Sequence, residues 1–369
     1  MIRSVLIAQG AFESIYEPAW VRALNDLGVQ ASLFECHRLT LPGLLGRIER
    51  RLLWGPGIQR IQRHLLARVA QQRPDVLLLY QGHYFTAATL QRLRQYTFVV
   101  GYHNDDPFGE RRTLLRYRHL LPALPVYQGF HLYRAVNIPE SRAYGLGNTA
   151  LLLPCFIPWL DYPRTLDAAQ QRHWGCEVVF AGHMEADLRI PCIIQSVRQG
   201  IHVRIFGGER YWRPALPPAI YRQVGPAIAL QPEPYRQALC AAKMAACFVS
   251  KRNRDQYTRR TFEIPACGVF LLAERTEWMQ EMFQEGLEAD FFASPEEFVE
   301  KIKFYLKNDT IRQRIAAAGR RKVLQGGHDL HARMRQWLQE VEAWRSASEP
   351  QEGESSRSSA SMTAQDLPP

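Results

Sequence analysis

The sequence predicts an α/β protein of two domains, each built on a parallel sheet, with the two sheets facing a common cleft. Strand-like apolar runs alternate with helix-like segments along most of the chain, and this alternation favours parallel sheets. The alternation breaks once, at the proline-containing stretch 157–172, and then starts again. The length of 369 residues suits about two domains of ~150 residues each.

The first predicted domain spans residues 1–160 and opens with a strand–helix–strand unit. In the helix, Trp20, Ala23, Leu24 and Leu27 recur at helical spacing, and Gly28 marks its end. The predicted strands lie in "RSVLIAQGAF", "ASLFE", "PDVLLLYQG", "YTFVVGYHNDDP", "GFHLYRAVNIP" and "NTALLLPCF".

The second predicted domain spans residues 172–327. Ser294, Pro295 and Glu297 form a helix-start signal with an S-x-x-E capping box. A last helix over 328–345 could cross back to the first domain, and the polar, Ser-rich tail 346–369 is predicted to be disordered. The predicted strands lie in "CEVVFAGHMEADLR", "GIHVRIFGG", "ACFVS", "GVFLLAE" and "ADFFAS".

Composition narrows the function classes without choosing one. The net charge is +10, and seven arginines fall within 47–73, so a basic surface could attract nucleic acid, anionic lipid or phosphorylated substrates. A solvated helix face is the ordinary alternative. Seven scattered cysteines without a C-x-x-C pair argue against a disulfide framework or a zinc site. Because neither a signal peptide nor a membrane-spanning run is recognisable, we expect a cytoplasmic protein.

Several familiar motifs are missing from the sequence. It contains no phosphate-binding G-x-x-x-x-G-K-[ST] loop, no G-x-S-x-G elbow, and no G-x-G-x-x-G after Gly10 or Gly182. His328 and His331 lack a third ligand nearby, so a metal site is not expected at this pair. Ligands of parallel α/β domains bind beyond the carboxyl ends of the strands, which directs attention to the polar residues there.

One stretch of this kind is "RDQYTRRTFEIPACGVFLLAE", residues 254–274. If a helix begins near Thr258, its first N–H groups, with Arg259 and Arg260, would suit phosphate oxygens. Glu263 would lie about 6 Å further along the axis, where it could accept hydrogen bonds from both hydroxyls of a ribose. Asp255, in the loop before the helix, could reach a sugar beyond the phosphates. A capped surface helix with ordinary charges is the alternative.

The segment resembles the donor-binding signature of group 1, family 4-like glycosyltransferases. Asp255 and Glu263 match two acidic residues of that family separated by seven residues, with Asp in place of the usual first Glu. "TRRTFEIPACGVFLLAE" looks most like the branch related to the spore-maturation protein CgeB. The resemblance continues through "GLEADFFASPEEFVEKIKFYLKNDTIRQRIAAAGRRKVL" and covers about 176–340. It implies the GT-B fold of two Rossmann-like domains and a hexosyltransferase-like activity in glycan biosynthesis. It also implies no essential metal and no bound cofactor, because enzymes of this fold generally neutralise the leaving group with a helix dipole and basic residues.

The resemblance also implies the roles of individual residues around a nucleotide-diphosphate sugar. Glu263 would take the ribose hydroxyls, and Asp255 would approach the sugar. Arg260, with Arg259 and Lys251, would face the diphosphate. Gly182 would give a tight turn after the first strand of the second domain, and Arg189 could reach phosphate or form a structural ion pair.

The first domain should supply the acceptor side. Gly10 allows close backbone approach to a ligand, and "GYHNDDPFGE" offers His103, Asp105 and Asp106 as bases for an acceptor hydroxyl. An Asp-rich turn that caps its own backbone is the alternative. Gln81 and His83 in "YQGHYF" form a second candidate pair.

The expected partners are a nucleotide sugar and an unidentified glycan, lipid or protein acceptor. The basic first domain could also contact a membrane surface, and no specific nucleic acid is expected. Two alternatives stay open. A nucleotide-sugar 2-epimerase would share the fold and the donor site, whereas a non-enzymatic polyanion-binding module would use the basic segment 47–73.

Overall fold

The structure is a computed structural model that describes residues 1–10, 14–109 and 115–348. It contains two parallel sheets. The first has the strand order β2-β1-β3-β4-β5-β6, and its consecutive neighbours all pair in parallel. Its strands are β1 (Ser4–Ala8), β2 (Gln30–Phe34), β3 (Val76–Tyr80), β4 (Phe98–His103), β5 (Gly129–Leu132) and β6 (Thr149–Leu151).

The second sheet repeats the arrangement with five parallel strands in the order β11-β10-β9-β7-β8. Its central strands are apolar runs with almost fully buried side chains, as expected when helices cover both faces of a sheet. The strands are β7 (Cys176–Ala181), β8 (Val203–Phe206), β9 (Ala242–Cys247), β10 (Phe270–Glu274) and β11 (Asp290–Phe292).

Helices connect the strands in both halves. The first half contains α1 (Tyr16–Asp26), α2 (Gly43–Leu52), α3 (Pro56–Gln72), α4 (Ala87–Leu93), α5 (Leu120–Ala123) and α6 (Asn137–Ala143), with short 3₁₀ turns at Cys36–Leu39 and Leu124–Val126. The rest are α7 (Ala168–Trp174), α8 (Arg189–Arg198), α9 (Glu209–Ala215), α10 (Pro218–Val224), α11 (Pro232–Ala241), α12 (Arg260–Ala266), α13 (Glu277–Met282), α14 (Pro295–Lys307), α15 (Asp309–Gln325) and α16 (Leu330–Ser348). Within the described ranges, none of these helices combines the length and apolar character needed to cross a bilayer.

The strand order fixes where a ligand can bind. In each sheet the order in which strands are added switches sides once. The switch lies between β1 and β3 in the first sheet and between β7 and β9 in the second. Parallel α/β sheets open a crevice beyond the carboxyl ends of the strands at such a reversal. Gly10 follows β1, Gly182 follows β7, and the segment leading to Glu263 follows β9, so three predicted site residues lie at these points.

The two halves are joined by apolar packing as well as by the chain. One buried cluster contains Trp20 and Tyr80 from the first half, Phe262 from the second, and Trp337 of α16. Helix α16 returns to the first sheet, where its Glu340 lies 2.7 Å from the Nε2 atom of His131. Gly129 leaves room for the last turns of this helix, since a Cβ there would lie 2.1 Å from the Trp344 ring.

The predicted α/β class with two parallel sheets is confirmed. The predicted helix start at Ser294 matches α14, where the Ser294 hydroxyl accepts the Glu297 N–H at 3.2 Å. The predicted linker 157–172 includes the first residues of α7. The predicted start of the tail at residue 346 is corrected, because α16 continues to Ser348. The rest of the predicted tail, 349–369, lies outside the described residues.

Candidate functional site

Two adjoining cavities lie between the carboxyl edges of the sheets. The second-domain cavity has a volume of about 290 Å³, and the interdomain cavity has a volume of about 250 Å³. Their linings have four residues in common: Tyr16, His183, Arg259 and Arg260. The two cavities therefore adjoin each other, with two arginines at their junction.

Glu263 lines the second-domain cavity from α12. Its residue is only 3% exposed, and the Tyr235 hydroxyl donates to its Oε1 atom at 2.6 Å. Its other carboxylate oxygen forms an ion pair with Arg259. Burial raises the pKa of Glu263, and the Arg259 charge opposes that shift. The structure thus places this carboxylate at the cleft, inside the protein and away from bulk solvent.

The two arginines at the junction differ in their partners. Arg259 is neutralised by Asp161 and Glu263, which fixes its guanidinium in place. Arg260 donates to the Ala181 carbonyl oxygen at 3.2 Å and, in the described part of the chain, forms no ion pair with a carboxylate. Its Nε atom is buried without a hydrogen-bond partner. Arg260 therefore carries a positive charge that an anion in the cleft could balance.

The start of α12 lies close to the predicted position. The helix begins at Arg260, two residues after Thr258, and the Thr258 hydroxyl accepts the Arg260 N–H at 3.1 Å. The N–H groups of Phe262 and Glu263 both bond to the Arg259 carbonyl oxygen at 3.0 Å. The amides predicted to cradle phosphate are thus already satisfied within the protein. Positive charge for a phosphate must come mainly from the arginine side chains.

Asp255 lies in the interdomain cavity and pairs with a residue of the first half. The Nε atom of Arg134 donates to its Oδ1 atom at 2.6 Å, and Arg134 also donates to the Asn104 carbonyl oxygen at 3.0 Å. Burial raises the pKa of Asp255 to about 6, and the Arg134 guanidinium only partly offsets this effect. Asp255 thus connects the two walls of the cleft.

Two of the predicted phosphate contacts do not line either cavity. Arg189 is buried, pairs with Asp187 and Glu185, and donates to the Val249 carbonyl oxygen at 3.3 Å. Lys251 lies 2.6 Å from the carboxylate of Glu274. Of the two alternatives considered for Arg189, the structure supports the structural ion pair.

The two predicted glycines have different surroundings. Gly182 lines the second-domain cavity, and a Cβ there would lie 2.7 Å from the Phe180 ring and 3.3 Å from the Arg260 Cζ atom. Its missing side chain therefore makes room for the Arg260 guanidinium. At Gly10, a Cβ would lie 2.8 Å from the Gln81 Oε1 atom, and the Gly10 N–H donates to Glu17 at 3.2 Å. Gly10 thus admits a protein side chain.

The predicted bases of the first half are held by other contacts. His103 is fully buried and accepts the Asp105 N–H at Nδ1 (3.0 Å), and burial lowers its pKa to about 4. Asp106 accepts the N–H groups of Phe108 and Gly109 at 3.0 Å each and pairs with Arg254. Neither residue lines a cavity. The Asp-rich turn that caps its own backbone, weighed as the alternative, is what forms around Asp106.

The remaining candidates of the first half are also absent from the linings of the two cavities. Asp105 pairs with Arg116 and lies 3.4 Å from the Asn253 amide nitrogen. His83 is buried against the His103 ring, with ring centroids 5.1 Å apart, and burial lowers its pKa. Gln81 donates to the Asn104 side chain at 2.8 Å. Among the described residues, no predicted base therefore lines either cavity.

Sequence reasoning missed several residues that form the site. Tyr235 holds Glu263, Tyr16 lines both cavities, and Arg134 pairs with Asp255. Arg333 of α16 also lines the interdomain cavity and bonds to His328 at 3.0 Å. Tyr16 and Tyr235 occur in amphipathic helices, where a tyrosine is usually part of the core, so the sequence offered no specific signal.

Comparisons with known proteins agree with this fold. Residues 191–339 match a family model described as glycosyl transferase-like. A sucrose-phosphate synthase from Thermosynechococcus elongatus superimposes with a TM-score of 0.69 at 14% identity, covering 94% of this chain and 100% of that one. HepE of Anabaena, in complex with UDP and glucose, gives 0.62 at 12% identity, covering 93% and 100%.

An alpha,alpha-trehalose 6-phosphate synthase from Burkholderia multivorans also matches, with a TM-score of 0.62 at 10% identity over 95% of this chain and 100% of that one. No curated protein sequence matches the chain. At such low identities the structural likeness concerns the fold. The chain thus has the two-domain GT-B fold, and its residues 191–339 resemble the glycosyl transferase-like family.

Proposed function

We propose that this chain is a glycosyltransferase that moves a sugar from a nucleoside-diphosphate donor to a hydroxyl of an acceptor. The observation that carries the proposal is the order of charges along the two cavities. Buried Glu263 comes first, then Arg260 without a carboxylate partner, and then Asp255 at the first-domain wall. This order matches the ribose, the diphosphate and the sugar of such a donor.

The donor class has further support. HepE has been crystallised with UDP and glucose, with UDP-glucose and with UDP, and it shares the fold of this chain. We therefore take a nucleoside-diphosphate hexose as the donor to test first. The CgeB-like branch is our proposal for the subgroup, on the sequence of 258–274.

In the proposed mechanism the protein acts mainly through electrostatics. Glu263 accepts hydrogen bonds from the ribose hydroxyls and so fixes the nucleotide. Arg260 stabilises the negative charge that grows on the departing diphosphate, and it does so in a partly buried site where the interaction is strong. Asp255 and Arg134 orient the sugar hydroxyls at the wall of the interdomain cavity.

The test is to incubate the protein with UDP-glucose, ADP-glucose and GDP-mannose and to follow release of the nucleoside diphosphate. We expect slow hydrolysis of one donor without acceptor, and about a tenfold or larger loss of rate in Arg260→Ala. Arg252→Ala is the matched control, because Arg252 is an exposed arginine in the loop that leads to α12. The proposal would be contradicted if the protein bound none of these donors and released no nucleoside diphosphate from any of them.

The same incubation separates the alternatives. An epimerase would convert the nucleotide sugar to its epimer, which nuclear magnetic resonance of the sugar would detect. A polyanion-binding module would ignore all donors and bind nucleic acid with a strong dependence on salt.

A further inference from the structure

Helix α2 of the first domain exposes apolar side chains. Twelve large apolar residues are strongly exposed in the described part of the chain, and five of them fall between residues 44 and 54. Leu44, Leu45 and Trp54 are the most exposed of the five, at 65%, 67% and 64%. Isolated exposed apolar residues are common, but a cluster of this kind marks an interaction surface. The five are Leu44, Leu45, Ile48, Leu52 and Trp54.

The helix is held in this orientation by its polar side. Glu49, the acidic residue of α2, is buried and accepts the Gly57 N–H at 3.0 Å. Gly46 lies against the Leu41 carbonyl oxygen, since a Cβ there would be 1.6 Å away. The helix thus buries its glutamate and one glycine and turns its leucines outward, the reverse of the usual pattern on a soluble protein.

The chain segment that carries these apolar residues is almost entirely positive in charge. Residues 36–73 contain eight arginines and one acidic residue, which is the buried Glu49. Arg47 and Arg51 are exposed between the leucines. Of the eight arginines, only Arg38 has an ion-pair partner in the described residues, Glu35 at 3.1 Å. The surface therefore presents apolar groups within a field of uncompensated positive charge.

Helix α2 lies on the edge of the first domain that borders the cleft. The helix follows β2 in the chain, and the carboxyl ends of all strands in this sheet lie at one edge because the strands are parallel. The loop after β4 holds its far end, since Arg118 donates to the Leu52 carbonyl oxygen at 3.2 Å and His119 lies 2.6 Å from that of Leu53.

We propose that α2 docks on the surface of an anionic phospholipid bilayer, through an apolar-basic patch. We define the patch as Leu44, Leu45, Arg47, Ile48, Arg51, Leu52 and Trp54. Leucines and a tryptophan beside arginines are what an in-plane interfacial helix needs, because the apolar groups insert and the arginines contact lipid phosphates. An acidic protein surface would leave the leucines less well matched. Docking stands independently of the proposed reaction; only its use, to bring the cleft to an acceptor at the membrane, rests on that function.

The test is sedimentation of the full chain with vesicles. Wild type should bind vesicles that contain phosphatidylcholine and about a third phosphatidylglycerol. It should bind vesicles of phosphatidylcholine alone much more weakly. Leu44→Ser/Leu45→Ser/Ile48→Ser should reduce the partition coefficient about tenfold or more, and so should Arg47→Glu/Arg51→Glu. Affinity for UDP should stay unchanged in both variants, so the result is separate from that of the donor site.

Matched controls come from the second domain. Leu287→Ser/Phe304→Ser removes two other exposed apolar side chains, and Arg198→Glu/Arg222→Glu reverses two other exposed arginines. Both should bind vesicles as wild type does. The proposal is overturned if wild type ignores anionic vesicles, or if the patch variants bind as well as the controls. It is also overturned if light scattering shows a wild-type dimer that the leucine variant dissociates, since a second copy would then cover the patch.

Discussion

Asp255 and Arg134 illustrate at the residue scale how the cleft is built. Each carries a charge that would be costly to bury alone, and among the described residues each has its only ion-pair partner in the other half of the chain. Because the pKa of Asp255 rises from 3.8 to about 6, its protonation falls near physiological pH. The ion pair across the cleft is therefore sensitive to acid.

We predict a pH-dependent effect of Asp255→Asn on stability. Between about pH 4 and pH 6 the folded protein holds a proton on Asp255 that the unfolded chain releases. The free energy of unfolding should thus fall as pH rises through this window, by roughly 2–3 kcal/mol from this group alone. Asp255→Asn should remove that fall. Denaturant unfolding of both proteins at several pH values is the measurement, and a constant difference between them would contradict the assignment.

The residue scale also shows what the sequence could and could not reveal. The spacing of Asp255 and Glu263 identified two residues that do line the cavities. The hydrogen bond from the Arg260 N–H to the Thr258 hydroxyl was not foreseen, because it depends on where the helix begins. The sequence suggested His103 as a base, but in the structure it is buried against the rings of His83 and Tyr117. Neither of these residues is close to His103 in the sequence, so the burial could not be predicted.

At the scale of elements, the turn after β7 shapes the arginine site. Gly182 lies where β7 ends, and its N–H bonds to the Phe206 carbonyl oxygen of β8 at 2.9 Å. The Arg260 side chain from α12 passes over it, so three elements meet where a diphosphate would bind. The sequence predicted the strand and the turn, but not that the side chain of Arg260, 78 residues later, would need the space.

We predict that Gly182→Ala weakens binding of a nucleoside diphosphate without unfolding the domain. The added methyl group would displace the Phe180 ring or the Arg260 guanidinium. A tenfold rise in Kd, which corresponds to about 1.4 kcal/mol, is the expected scale. Gly147→Ala is the matched control, because nothing lies within 4 Å of a Cβ there. Equal affinities of the two variants for UDP, measured by calorimetry, would argue against a role for this turn.

At the scale of the whole molecule, one loop of the second domain joins the two halves. Arg254 adopts a φ of +52°, unusual for a residue with a side chain, and its guanidinium reaches two carboxylates of the first half. It lies 2.5 Å from Asp106 and 2.8 Å from Glu140. Asp106, predicted as a base, therefore acts as an anchor between the domains in this structure.

We predict that Arg254→Ala destabilises the protein more than a comparable surface change. The substitution leaves the buried Asp106 carboxylate without its charged partner, which should cost about 2 kcal/mol or more. Arg116→Ala is the control: Arg116 is an exposed arginine that, among the described residues, forms an ion pair with Asp105 only, and its loss should cost less than about 1 kcal/mol. Thermal unfolding measures both, and small-angle scattering should show a larger radius of gyration for Arg254→Ala alone.

The fold as a whole was accessible from the sequence because its alternating strands and helices follow local rules. The pairing of the halves was not, because Arg134, Arg254 and Tyr16 look like ordinary surface or core residues until the sheets are placed face to face. The residues that complete the site could therefore be identified only once both halves of the molecule were placed together.

The account rests on Glu263 as the residue that binds a ribose, and calorimetric titration with UDP and with 2′-deoxy-UDP tests this most directly. Wild type should prefer the ribose form, whereas Glu263→Gln should bind UDP about tenfold or more weakly and lose the preference. Glu281→Gln, an exposed change on the neighbouring helix α13, should behave as wild type. If Glu263→Gln binds UDP as tightly as wild type, or still distinguishes the two nucleotides, the central claim is wrong.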